Sequence, residues 1–157
     1  MQKKIITQIC RSIATLGPIG YLPAPGTMGT VAALPLAYGL LAFSATLQLT
    51  IIASLFLLSY FIIDRALQAF TSDDPSQIIL DEVIGTLVTF CGLTYSPVIF
   101  LAGFAFFRLY DITKPFGIRS LEKIPGSFGI LIDDVGAGIL AHLMLRLILS
   151  HSSSFFI

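Results

Sequence analysis

Two long apolar runs decide what this chain can fold into. Residues 45–63 pass nineteen positions without a charged side chain, and residues 130–149 carry charge only at Asp133, Asp134 and Arg146. Runs of this length are too continuous for a period-two strand, and each reaches about 30 Å if helical, the thickness of a bilayer core. The expectation is therefore all-α and membrane-embedded. Composition agrees, because 55% of residues are hydrophobic and only 11% charged, against about 25% charged in soluble domains. At 157 residues the chain makes one domain, 1–157. Nine basic and nine acidic residues cancel, so nucleic acid is not an expected partner.

From the N-terminus, residues 3–16 place Ile5, Ile6, Ile9, Ile13 and Leu16 at helical spacing with Lys3, Lys4 and Arg11 elsewhere, the pattern of an interfacial amphipathic helix. Arg11 interrupts the apolar run and no small-residue cleavage site follows, which argues against a signal peptide. Three prolines and four glycines across residues 17–30 predict an ordered loop, with Thr27 or Thr30 capping the next helix. Residues 31–43 are apolar with the small residues Ala32, Ala33, Ala37 and Gly39, suited to close helix packing but short for a span. A turn at Ser72 to Pro75 feeds a helix expected from Ser76. Residues 83–91 and 98–110 form a helical pair that either crosses or stops as a half-depth hairpin, since nine residues of helix reach only about 14 Å. Residues 111–129 are a polar loop with a positive excess, cytoplasmic by the positive-inside tendency. The total is a compact bundle of about five to six helices. Cys10 and Cys91 match no metal or redox spacing and read as apolar fillers.

Charge in this chain is scarce, so its placement is informative. Asp81 and Glu82 sit in IILDEVIG, Asp133 and Asp134 in ILIDDVGAG, and Arg108, Asp111 and Lys114 in FRLYDITKP. An ionised carboxylate in apolar surroundings is expensive unless paired, so these acids are expected to converge on positive charge. Counting crossings from a cytoplasmic N-terminus puts all of them at cytoplasmic helix ends. A divalent cation fits best: Mg²⁺ prefers hard oxygen ligands and is commonly shared between carboxylates and a substrate phosphate. Asp81, Glu82, Asp111, Asp133 and Asp134 are the candidate ligands, with Asp81, Glu82, Asp111 and Asp134 the candidate catalytic acids. Arg108, three residues before Asp111, and Lys114 are placed to hold phosphate oxygens. The loop PAPGTMGT supplies backbone N–H groups and the Thr27 and Thr30 hydroxyls ahead of a helix, a general anion site.

Each feature has a plainer reading. Acid pairs in a first turn favour the helix dipole, Arg108 with Asp111 makes a structural ion pair, and Lys114 snorkels to the interface. Gly85, Gly136 and Gly138 permit helix contact, and His142 reads as a packed or lipid-facing side chain. There is no C-x5-R, D-x-D or G-x-S-x-G pattern, which leaves no covalent nucleophile and favours attack by metal-activated water. A small ion or proton transporter is the alternative, but it needs acids at mid-depth rather than at helix ends. A nucleotide-lipid phosphotransferase would need D-G and A-R pairs that are missing here.

In this order and spacing, PAPGTMGTVAALP, DPSQIILDEVIG, FRLYDITKPFGI and GILIDDVGAGI resemble the phosphatidylglycerophosphatase A family over almost the whole chain. The resemblance implies an all-α, Mg²⁺-dependent lipid phosphatase of the bacterial inner membrane, converting phosphatidylglycerophosphate to phosphatidylglycerol; the count of crossings makes the chain multi-pass with its active site expected on the cytoplasmic side. It carries the site to Asp81, Glu82, Arg108, Asp111, Lys114, Asp133 and Asp134, with Gly26, Thr27 and Thr30 nearby. The phospholipid in its bilayer is the implied partner; oligomeric state stays open. Asp73 departs from the pattern, standing where a basic or histidine residue is expected.

Overall fold

A computed structural model describes residues 2–153, with side chains through residue 151. Seven α-helices occur, and no strand is present among the described residues. They are α1 (Gln2–Ala14), α2 (Pro25–Leu40), α3 (Ala45–Leu67), α4 (Leu80–Phe90), α5 (Pro97–Thr113), α6 (Ile118–Leu121) and α7 (Ser127–Ser153). The all-helical expectation holds, with α6 as one extra turn inside the polar loop. Two helices, α3 and residues 127–151 of α7, are long and apolar enough to cross a membrane. On α3, Leu49, Leu57, Leu58 and Phe61 point outward at 56–64% exposure. Such a surface suits hydrocarbon rather than water.

Helix α4 is short and central. Val83, Ile84, Gly85, Thr86, Leu87, Thr89 and Phe90 are all buried, and the helix packs against α2, α3, α5 and α7. A helix buried on nearly every side finds its stability by being surrounded. Its closest approach is to α7, where a Cβ on Gly85 would lie 2.7 Å from the Asp134 carbonyl oxygen, and a Cβ on Gly138 would overlap the Gly85 carbonyl. Only hydrogen at both positions lets the two backbones meet. At the other end of α4, Gln48 of α3 accepts from the Gly92 N–H at 2.8 Å and donates to the Phe43 carbonyl at 2.9 Å. The start of α3 therefore lies beside the end of α4.

Three boundaries differ from the expectations above. The loop ends early, because α2 begins at Pro25, whose fixed φ and missing N–H suit a first helical position. Thr27 and Thr30 are consequently inside α2 and do not cap it. Helix α4 starts at Leu80 rather than near Ser76, since residues 76–79 cross the end of α1 and the Ile79 N–H donates to the Ala14 carbonyl at 2.9 Å. Helix α7 starts at Ser127, so Asp133 and Asp134 are its seventh and eighth residues, about 10 Å along its axis instead of in the first turn.

Helix α1 packs on α3 through Ala14 and Cys10. It leaves Ile5, Ile6, Ile9 and Ile13 at 43–55% exposure, an apolar face with no partner in the bundle.

Candidate active site

Four chain segments deliver polar side chains to one end of the bundle: the loop before α4, the start of α4, the end of α5 with Lys114, and the second turn of α7; the start of α2 closes the space with Pro25 and Gly26. The cavity between them has a volume of about 180 Å³ and is lined by Pro25, Gly26, Asp74, Ser76, Ile78, Asp81, Glu82, Arg108, Asp111, Lys114, Ile130, Asp133 and Asp134. It holds six carboxyl groups and two cations. Such an excess of negative charge in a partly buried space calls for further positive charge.

The centre of the cluster is formed by Asp81, Glu82 and Asp134, each offering a carboxylate oxygen within 4.8 Å of the others. Asp81 and Glu82 are adjacent on α4, and the Gly85 to Asp134 backbone contact brings α7 against the same turn. Each of the three has one buried oxygen without a hydrogen-bond partner: Asp81 Oδ1, Glu82 Oε2 and Asp134 Oδ2. Unpaired buried oxygens are rare and costly. Three on neighbouring carboxylates form a donor set suited to a hard divalent cation.

The remaining acids have cationic partners. Asp111 accepts from Arg108 Nη1 at 2.6 Å, and the same nitrogen lies 4.0 Å from Glu82 Oε1. Asp133 accepts from Lys114 Nζ through Oδ2 and from the Asp134 backbone N–H through Oδ1 at 3.0 Å. Lys114 also lies 3.4 Å from Glu122. Burial alone would lower the Lys114 pKa, but the charges of Asp133, Glu122 and Asp111 outweigh it and hold the pKa above its usual value, so the ammonium stays charged. Asp74, at the rim, is pushed upward by burial, with Lys114 opposing and Glu122 and Asp111 assisting.

Local backbone geometry sets these contacts. Helix α5 ends at Lys114, whose left-handed conformation (φ 45°) and 2.8 Å bond from its N–H to the Tyr110 carbonyl reverse the chain toward α7. Gly26 leaves room for the ends of two cavity side chains: a Cβ there would lie 2.9 Å from both terminal nitrogens of Arg108 and overlap Glu82 Oε1, so those ends would have to move.

Asp81, Glu82, Arg108, Asp111, Lys114, Asp133, Asp134 and Gly26 therefore meet in one cavity. Thr27 and Thr30 do not line it; Thr30 is buried and its hydroxyl donates back to the Gly26 carbonyl at 2.8 Å. Asp74 and Ser76 line the cavity and were not singled out from sequence. The signal for them in the sequence is the Ser72 to Pro75 turn and the Ser76 that follows it, just before the acid pair. A larger cavity of about 310 Å³ lies at the opposite end, where Ala45, Val88, Cys91, His142 and Arg146 line it. It contains no carboxylate. His142 is held there by the Thr89 carbonyl at 3.1 Å.

Comparison with known proteins points in one direction. The family model described as phosphatidylglycerophosphatase A matches residues 12–149. A phosphatidylglycerophosphatase A of Haemophilus influenzae is 35% identical over 83% of this chain and 88% of its own. One of Escherichia coli is 30% identical over 74% and 69%. A Bacteroides thetaiotaomicron protein provisionally named phosphatidylinositol-3-phosphatase is 32% identical over 80% and 84%. No solved structure matches the chain.

Proposed function

The chain belongs to the phosphatidylglycerophosphatase A family, and we propose that it is a Mg²⁺-dependent phosphoric monoester hydrolase that removes the terminal phosphate of phosphatidylglycerophosphate to leave phosphatidylglycerol. The observation that supports this most is the set of three orphaned carboxylate oxygens on Asp81, Glu82 and Asp134, set beside Arg108 and Lys114.

Asp81, Glu82 and Asp134 are the residues that would hold the metal. When bound there, Mg²⁺ supplies positive charge against the phosphoryl oxygens and makes water more acidic. Arg108 and Lys114 neutralise the charge that builds on those oxygens, Arg108 through a planar fork and Lys114 as a point charge. Asp111 and Asp133 orient these two cations rather than ligating metal. Water attacks phosphorus, the bond from phosphorus to the glycerol oxygen breaks, and that oxygen takes up a proton. Glu82 or Asp134 accepts the proton that the attacking water loses.

The protein sits in the bacterial inner membrane with several crossings and its site on the cytoplasmic side. Helices α2, α4 and α7 leave from the site's end while α3 and α5 return to it, which fits a cytoplasmic loop at residues 114–126 containing Lys114, Arg119 and Lys123. All nine acids lie in residues 64–82 and 111–134, and six of them line one cavity at this end of the bundle, which favours a single hydrolytic site over a conduction path.

The test is phosphate release by the purified protein from phosphatidylglycerophosphate in mixed micelles, with Mg²⁺ and with EDTA. Release with Mg²⁺ and none with EDTA is expected. No release in either condition ends the reading. Phosphatidylinositol-3-phosphate is included as a second substrate, since one relative bears that activity in its name; a faster rate on it would reassign the headgroup.

A further inference from the structure

Between the cavity and the buried side of α7, the chain makes a turn with unusual backbone geometry. Lys114, Phe116 and Gly117 all have positive φ, at 45°, 53° and 89°. Glycine takes such a conformation freely, whereas a bulky aromatic residue rarely does. It persists where flanking contacts impose it, and both flanks here are fixed. Lys114 reaches into the cavity to Asp133. Ile118 is 4% exposed and packs with Phe107, Ala137 and Ala141.

Phe116, between these anchors, is 89% exposed, the most of any large hydrophobic side chain among the described residues. The preceding turn of α5 adds Ile112 at 69%, and exposed cations follow at Arg119 and Lys123. An aromatic tip flanked by basic residues matches the boundary of a phospholipid leaflet, where rings sit at the level of the glycerol backbone and cations meet phosphate.

We propose that the Lys114 to Ile118 turn is an interfacial finger: Phe116 inserts into the upper acyl region of the leaflet beside the cavity, with Arg119 and Lys123 against anionic headgroups. Because Phe116 and Lys114 share one fixed turn, insertion of the ring holds Lys114 at the depth of lipid phosphates. The finger orients the site toward substrate that lies in the membrane plane. This rests on the membrane placement proposed above but not on the identity of the reaction.

The chain contains no tryptophan, so Phe116→Trp gives a single fluorescent reporter in the full-length protein. After reconstitution into vesicles of phosphatidylcholine and phosphatidylglycerol, its emission is expected to be blue-shifted, quenched by lipids brominated at upper chain carbons and protected from aqueous iodide. Asp73→Trp, on an exposed loop, is the reference for an aqueous site. Iodide quenching at position 116 equal to that at 73, with no effect of brominated lipid, overturns the proposal. A kinetic arm compares Phe116→Ser with Phe116→Leu. The ratio of KM for bilayer substrate to KM for a monomeric short-chain phosphomonoester should rise about tenfold with serine, the scale of losing one ring's burial, and return with leucine. An unchanged ratio with serine also overturns it, because the turn would then act on Lys114 alone. If the protein hydrolyses no lipid, the fluorescence arm still decides.

Discussion

Arg108 donates to Asp111, one turn further along α5, at 2.6 Å, and turns the same nitrogen toward Glu82 at 4.0 Å. One guanidinium thus joins α5 to the acid pair of α4, and its Nε is left buried without a partner. A phosphate oxygen is the natural acceptor for such a donor. Arg108→Lys keeps the charge and loses the fork, so kcat/KM should fall about 10²-fold, the scale of one lost transition-state donor. Steady-state phosphate release checks this, and a change under threefold would remove Arg108 from the phosphate site.

Asp81 and Asp134 face each other and Glu82 in the core of the cluster. Asp81→Asn and Asp134→Asn should each abolish most activity while raising thermal stability without metal, because a like-charge contact is relieved. Wild type should gain stability from Mg²⁺, about 2.7 kcal/mol at a hundred times Kd, and the two variants should gain little. Thermal melts with and without Mg²⁺ decide it. Equal Mg²⁺ stabilisation of all three proteins would place the metal elsewhere.

Gly138 faces the Gly85 carbonyl with no room for a methyl group. Gly138→Ala should push α7 from α4 and separate Asp134 from Asp81 and Glu82. The expected signature is a Mg²⁺ requirement raised several-fold, with a lowered melting temperature, whereas Gly39→Ala, in open space, should leave both as in wild type. A Mg²⁺ titration of each variant makes the comparison.

Gln48 satisfies two backbone groups far from the cavity, Gly92 N–H and Phe43 C=O. Gln48→Leu leaves both unpaired and should cost about 1–3 kcal/mol. Detergent-solubilised melts should show the loss while the Mg²⁺ dependence of the remaining folded enzyme stays the same.

Much of this molecule was readable from local chemistry. The apolar runs at 45–63 and 130–149 demanded helices because only a helix satisfies its own backbone in an apolar medium. The acids at 81, 82, 111, 133 and 134 announced a polar centre because charge is so rare elsewhere in the chain. Division of labour among those acids was not readable. Asp133 and Asp134 are neighbours in sequence, yet helical geometry turns one toward Lys114 and the other toward Asp81 and Glu82. Nor could spacing place Thr30, whose hydroxyl is taken by the Gly26 carbonyl once α2 starts at Pro25. Composition and periodicity report what each segment must avoid, namely unpaired backbone and unpaired charge. Which partner relieves each charge depends on how closely helices approach, and here hydrogens at Gly85 and Gly138 set that distance through contacts between residues far apart in the chain.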